Sequence, residues 1–105
     1  MAEQNILIEI DRELNRLFRH LDALGIDELD IDLADGKLVI EFEDGVKFIV
    51  NRQSATNQIW LAEPQGGWRF DFKNSQWIDD KRGIELASAL SELMTAKLGQ
   101  NISLK

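Results

Sequence analysis

Cysteine is absent from the 105-residue chain, and histidine and proline occur once each, as His20 and Pro64. Without cysteine there is no disulfide, no thiolate nucleophile, no zinc ribbon and no cysteine-ligated iron–sulfur cluster. A single histidine excludes a multi-histidine transition-metal site inside the chain. Any metal site is therefore built from oxygen ligands, which favour hard or borderline cations and hold them loosely. No apolar run approaches the roughly 18 residues that cross a bilayer. The opening residues Met-Ala-Glu-Gln-Asn lack the positive start and apolar block of a secretory signal. Membrane insertion is not expected, and the expected compartment is the cytoplasm. There is no glycine-rich phosphate loop, no nucleophile elbow and no Ser-His-Asp set that His20 could serve, so the chain reads as a binding protein rather than an enzyme.

What is present is an ordinary globular balance, 44% hydrophobic and 30% charged. At this length one compact domain over residues 1–105 is expected. The net charge of −7 argues against nucleic acid, whose phosphates would repel it. The charge is unevenly placed. Residues 1–44 carry 13 acids against 4 bases, whereas residues 45–105 carry 8 bases against 6 acids. That asymmetry points to cations or to a basic partner surface.

Leu7, Ile10, Leu14, Leu17, Leu21 and Leu24 recur at helical steps and predict an amphipathic helix from about residue 4 to 24, ended by Gly25. Leu86 or Ala87, Leu90, Leu93 or Met94, and Leu98 predict a second helix, with Asp79 or Asp80 near its start and Gly99 at its end. Between them the period changes to two. Strands are predicted at about 28–33, 38–43 and 47–51, joined by Asp35-Gly36 and Asp44-Gly45, then at 58–62, 67–73 and 76–78. The expected fold is α+β: a two-layer sandwich with both helices on one face of an antiparallel sheet of about six strands. The tail residues Ile102 and Leu104 are expected to pack between the helix ends, and Trp77 is expected in the core.

Alternation places Leu38, Ile40, Phe42, Phe48, Val50, Ile59, Leu61, Trp68, Phe70 and Phe72 toward the helices. It leaves Asn51, Gln53, Gln58, Trp60, Arg69, Asp71 and Lys73 on the outer face. A tryptophan and an arginine amid amides have the composition of a binding hot spot. The plainer alternative is that Trp60 lies flat on a long neighbour or under the 53–57 loop.

Glu28, Asp30 and Asp32 are expected on one face of the first strand, about 7 Å apart. Asp22 falls in the last helical turn, where the backbone dipole disfavours a carboxylate, and Asp27 follows in the loop. Two readings stand side by side: a set of acids neutralised by a cation or a basic partner, or a solvated edge strand that charge protects from aggregation. The Asp30–Gly36 run imitates a calcium loop, but it has Ile31 instead of an oxygen ligand and strands instead of flanking helices. His20 reads as a surface residue.

Asn51-Arg52-Gln53, Gln58-Ile59-Trp60-Leu61-Ala62, Gly66-Gly67 and Phe70-Asp71, with Trp77 before a second amphipathic helix, resemble the central signature of the frataxins, the bacterial members in particular. The similarity spans essentially the whole chain. It implies an accessory protein and regulator of iron–sulfur cluster assembly, a monomer that binds ferrous or ferric iron weakly, uses no organic cofactor, and docks on the cysteine desulfurase and scaffold protein. The alternative it offers is an iron chaperone delivering ferrous iron to the scaffold. Carried over, the iron ridge falls on Asp22, Asp27, Glu28, Asp30 and Asp32. The partner contact falls on Asn51, Arg52, Gln53, Trp60 and Arg69, with Gln58 beside them. One departure is visible. Where the family's first helix carries several exposed acids, this chain reads Arg16-Leu17-Phe18-Arg19-His20-Leu21-Asp22, so fewer or weaker iron sites are expected.

Overall fold

The computed structural model describes residues 5–105. The first helix, α1 (Ile6–Ala23), is capped by Asn5, whose side chain accepts the backbone N–H of Leu7. The start expected near residue 4 lies outside the described residues. Its apolar stripe is sealed at Ile10, Leu14, Leu17 and Leu21, each at most 1% exposed, but frays at its ends, where Leu7 is 39% exposed and Leu24 half-buried. Each sealed side chain contributes on the order of 1.5–3 kcal/mol when it leaves water.

Six strands follow: β1 (Asp30–Ala34), β2 (Lys37–Glu41), β3 (Lys47–Gln53), β4 (Gln58–Glu63), β5 (Gly66–Lys73) and β6 (Gln76–Asp79). They pair antiparallel in chain order, β1-β2-β3-β4-β5-β6. The last helix, α2 (Leu86–Leu98), packs on β6, and α1 lies across β1, β2 and β3. The strands' inward residues, among them Leu38, Ile40, Val50, Ile59, Leu61 and Phe70, join both helices in one buried cluster, and Trp77 belongs to it at 3% exposure. This is the expected two-layer α+β sandwich.

The two Asp-Gly turns differ. Asp35 and Gly36 both have positive φ, 52° and 73°, which is the type I′ hairpin turn. At the second, only Gly45 is left-handed, and Phe42 bonds both Gly45 and Val46. That is a type I turn closed by glycine. It leaves Phe42 and Glu43 outside β2, which ends at Glu41.

The start of α2 also departs from expectation. Its cap is Glu85, whose carboxylate accepts the N–H groups of Ala87 and Ser88, and Asp79 is occupied elsewhere. The chain's last residues are strapped to both helices. Ile102 and Leu104 are buried, Leu104 N–H donates to Ser91 Oγ at 2.9 Å, and Arg16 donates to the Leu104 carbonyl at 3.1 Å. Thr95 Oγ1 exchanges hydrogen bonds with Ile102.

Candidate functional site: the uncovered sheet face

The face of the sheet away from the helices is ordered by cross-strand register, since directly paired residues point to the same side. One row runs Ala34, Lys37, Asn51, Trp60, Arg69 across β1 to β5. The next runs Asp32, Val39, Ile49, Ala62, Gly67, and the third Asp30, Glu41, Lys47. The acids of β1 and the Trp60–Arg69 pair therefore share one continuous surface, with Val39 and Ile49 half-buried between them.

Trp60 is half-buried and anchored at its polar end, where its indole N–H donates to Gln58 Oε1 at 2.9 Å. The Arg69 guanidinium sits over the Trp60 ring, 5.1 Å from its centre. Gln58 lies on this face as expected, but it is only 8% exposed. Its amide donates to Asp71 at 2.9 Å and reaches Asp80 at 3.5 Å, so Gln58 supports Trp60 from beneath rather than presenting itself. Asn51 and Gln53 are half-buried, and Asn51 pairs with Trp60 and Gln53 with Gln58.

Arg52 is elsewhere. In β3 it alternates with Asn51 and Gln53 and so falls on the helix side with Val50, where it forms a 3.1 Å ion pair with Asp11 of α1. Its guanidinium covers Gly36, where any Cβ would meet Arg52 Cζ at 2.8 Å. Arg52 thus ties the first hairpin to the helix layer and is absent from the Trp60 face.

The expected acidic ridge is spread out. Asp30 and Asp32 are exposed on the outer face of β1. Glu28 precedes the strand in a turn and lines a cleft with Ile26, Phe42, Asp44 and Lys97. Asp22 and Asp27 are exposed at the end of α1 and in the following turn. Among the described residues no three acids or histidines converge on one point. Three of the four acids of α1 are paired within the molecule: Glu9 with Arg12 at 3.1 Å, Glu13 with Arg16 at 2.8 Å, and Asp11 with Arg52. Glu13 and the more distant Glu85 hold the Arg16 guanidinium even more firmly protonated than usual, against the opposing effect of burial. His20 is half-buried in the last turn of α1. Asp44 and Lys97 form a surface pair, and that bond, with the Val46 N–H, holds the Asp44 carboxyl below its usual range.

A cavity of about 360 Å³ lies on the outer face, lined by Asn51, Trp60, Gly67, Arg69, Asp80 and Lys81 among others. Its far wall is the turn after β6.

The comparisons agree with this architecture. The family model described as a frataxin-like domain matches residues 2–100. The chain belongs to the frataxin family. Within it, the iron-sulfur cluster assembly protein CyaY of Thioalkalivibrio sulfidiphilus (strain HL-EbGR7) is 38% identical over 99% of this chain and 100% of its own length. Among solved structures, frataxin from Psychromonas ingrahamii superposes with a TM-score of 0.87 at 28% identity, covering 97% of this chain and 99% of its own. Trimeric frataxin from the yeast Saccharomyces cerevisiae, complexed with ferrous iron, gives 0.77 at 29% identity over 95% of this chain and 90% of its own.

Asp79, which borders the cavity, and its partner Arg82 carry no functional mark in the sequence pattern. That pattern puts Asp79 or Asp80 near the start of the second helix and gives Arg82 no role. An aspartate opening a Gly-containing turn, Asp79-Asp80-Lys81-Arg82-Gly83, is the pattern that points to them, since aspartate side chains accept backbone N–H groups two residues on. Among the described residues no helix is long and apolar enough to cross a membrane.

Proposed function

We propose that this frataxin-family protein is an iron-binding accessory protein and regulator of iron–sulfur cluster assembly. It acts by docking its uncovered sheet face on the cysteine desulfurase and scaffold machinery. The observation that carries the reading is the row Asn51-Trp60-Arg69, a half-exposed aromatic and a guanidinium at the centre of a sheet face left bare by both helices. Tryptophan, tyrosine and arginine side chains near the centre of a contact carry most of the binding energy of protein interfaces. The CyaY relative, named for iron–sulfur cluster assembly, supports the process, and the ferrous complex of yeast frataxin supports iron as cargo.

Asp30 and Asp32 adjoin the same face, so one basic partner surface can meet the acids and Trp60 together. Asn51, Gln53, Trp60 and Arg69 make the contact, Gln58 holds Trp60 in place, and Arg52 acts only through the hairpin it braces. Iron binds loosely along Asp22, Asp27, Glu28, Asp30 and Asp32, whose spread positions offer oxygen ligands without a preformed cage. This dispersal supports the regulator over a dedicated iron chaperone. The protein works as a cytoplasmic monomer, with no organic cofactor and no catalytic step of its own.

The test is binding to the matching cysteine desulfurase at low and moderate salt, with and without ferrous iron. Wild type is compared with Trp60→Ala and with the double variant Asp30→Asn/Asp32→Asn. Binding that weakens with salt and is lost in both variants supports docking through this face, because exposed charges are screened over ~8 Å at physiological ionic strength. Absence of binding by wild type under every condition would sink the reading.

A further inference from the structure

Asp79 is the least exposed ionisable side chain among the described residues, with its carboxylate 1% accessible, and its pairing with Phe70 puts it on the helix side of β6, behind the outer face. Both oxygens are fully used. Oδ1 accepts the backbone N–H groups of Lys81 at 2.9 Å and Arg82 at 2.6 Å. Oδ2 accepts the backbone N–H of Arg69 at 3.2 Å and a guanidinium N–H of Arg82 at 3.1 Å. The Arg82 guanidinium in turn lies 3.7 Å from the centre of the Trp68 ring and reaches the Gly67 carbonyl at 3.4 Å.

Through the backbone N–H groups of Arg69 and Lys81, Asp79 reaches two residues that line the cavity on the other side of the sheet. Arg69 is gripped on both sides of its peptide, its N–H by Asp79 and its carbonyl by the N–H of Asp80. The Arg69 side chain is the one that covers Trp60, and Asp80 and Lys81 form the cavity's far wall. A carboxylate is well suited to this junction, because it accepts several N–H groups at once where a neutral side chain could accept fewer. The burial of a charge with four donors around it also explains why an aspartate is tolerated there.

We infer that Asp79, clasped by Arg82 against Trp68, is a positioning residue for the docking face: it presets the Arg69 backbone and the Asp80–Lys81 wall around Trp60 before a partner arrives. Arg82 is thereby committed to the fold, and the cations left to a partner at this cavity are Arg69 and Lys81. The inference rests on the docking role proposed above for the Trp60 face. A face fixed in advance binds without first ordering its side chains, so loosening the clasp lowers affinity without removing any contact residue.

The experiment uses full-length Asp79→Asn and Arg82→Met, with Ile102→Ala as a control that destabilises the opposite layer. Desulfurase binding is measured by calorimetry, and amide exchange at Arg69, Lys81 and Arg82, together with the Trp60 indole resonance, by NMR. The expected result is about tenfold weaker binding for Asp79→Asn and about threefold for Arg82→Met, which retains three of the four donors. The three amides should exchange faster and the Trp60 resonance should shift, while Ile102→Ala keeps wild-type affinity despite a lowered Tm. Wild-type affinity in both clasp variants, or equal loss in Ile102→Ala, overturns the inference. If wild type binds no desulfurase, the docking reading falls and NMR alone decides. Unchanged Arg69 and Lys81 exchange in a folded Arg82→Met and Asp79→Asn then rejects the clasp, and faster exchange with a shifted Trp60 resonance upholds it.

Discussion

Arg69 lies directly across the strand pair from Trp60 and places its guanidinium 5.1 Å from the centre of the indole. The two side chains are thus one unit: the ring gives the cation a flat support, and the cation shields one side of the ring. A cation over tryptophan at an exposed site is worth about 0.5–1 kcal/mol.

Trp60→Ala should weaken binding to the assembly partner about 30-fold, corresponding to about 2 kcal/mol for a hot-spot aromatic, while leaving the folded state largely intact. Calorimetry on wild type, Trp60→Ala, Arg69→Ala and the double variant measures their coupling. A coupling energy of zero would show that the pair acts as two independent contacts.

Iron should bind weakly, with a dissociation constant on the order of 10⁻⁵ M, because the acids of the β1 edge do not enclose a site. Asp30→Asn/Asp32→Asn should weaken it further. Charge-neutral changes at Glu9 or Glu13 should matter less, since both carboxylates are engaged by arginines on α1. A titration showing several tight stoichiometric sites would contradict this arrangement.

Removing residues 101–105 should cost on the order of 3–6 kcal/mol, from the burial of Ile102 and Leu104 and the bonds they make to Arg16, Ser91 and Thr95. For a chain of this size that corresponds to a Tm lower by more than about 10 °C. A scan that found an unchanged Tm would show the strap to be superficial.

Asp79 ties stability to acid. Burial pushes its carboxyl up, but the N–H groups of Arg82, Lys81 and Arg69 and the Arg82 charge outweigh it and hold the group below the usual carboxylate range. A carboxylate depressed in the folded state contributes stability that is fully present above its unfolded value of about 3.9 and fades as pH falls through the lower folded value. Urea unfolding of wild type should therefore lose more stability below about pH 4 than Asp79→Asn does. Parallel pH profiles for the two proteins would remove Asp79 from the account.

The alternation of Val50, Asn51, Arg52 and Gln53 was enough to set the faces of β3, and it already puts Arg52 with Val50; only family resemblance placed Arg52 beside Trp60. Asp35-Gly36 was legible because both residues adopt the positive φ that the dipeptide favours. Asp44-Gly45 looked identical in sequence and folds differently, since Asp44 spends its side chain on the Val46 N–H and only Gly45 turns left-handed. Gln58 looked exposed by period, yet its burial depends on Asp71 and Trp60, which reach it from two directions. The cap of α2 was hidden because glutamate is an uncommon capping residue, while the nearby aspartates suit the role by type. The spread of Asp22, Asp27 and Glu28 away from the face of Asp30 and Asp32 depends on where β1 begins, and alternation fixes that boundary poorly.

Strand order equals chain order, and this shapes how the molecule assembles in time. Each hairpin closes over a short turn, so the sheet can zip up from local pairings. The helix layer closes differently, with Arg16 meeting the carbonyl of Leu104, 88 residues further on. The sheet can therefore form while Leu38, Ile40, Val50, Ile59 and Leu61 still lack their cover. During that interval the apolar side, later sealed, is the surface most open to wrong association. Pulse-labelled exchange that protected strand amides before those of α1 would reveal that order, and simultaneous protection would exclude it.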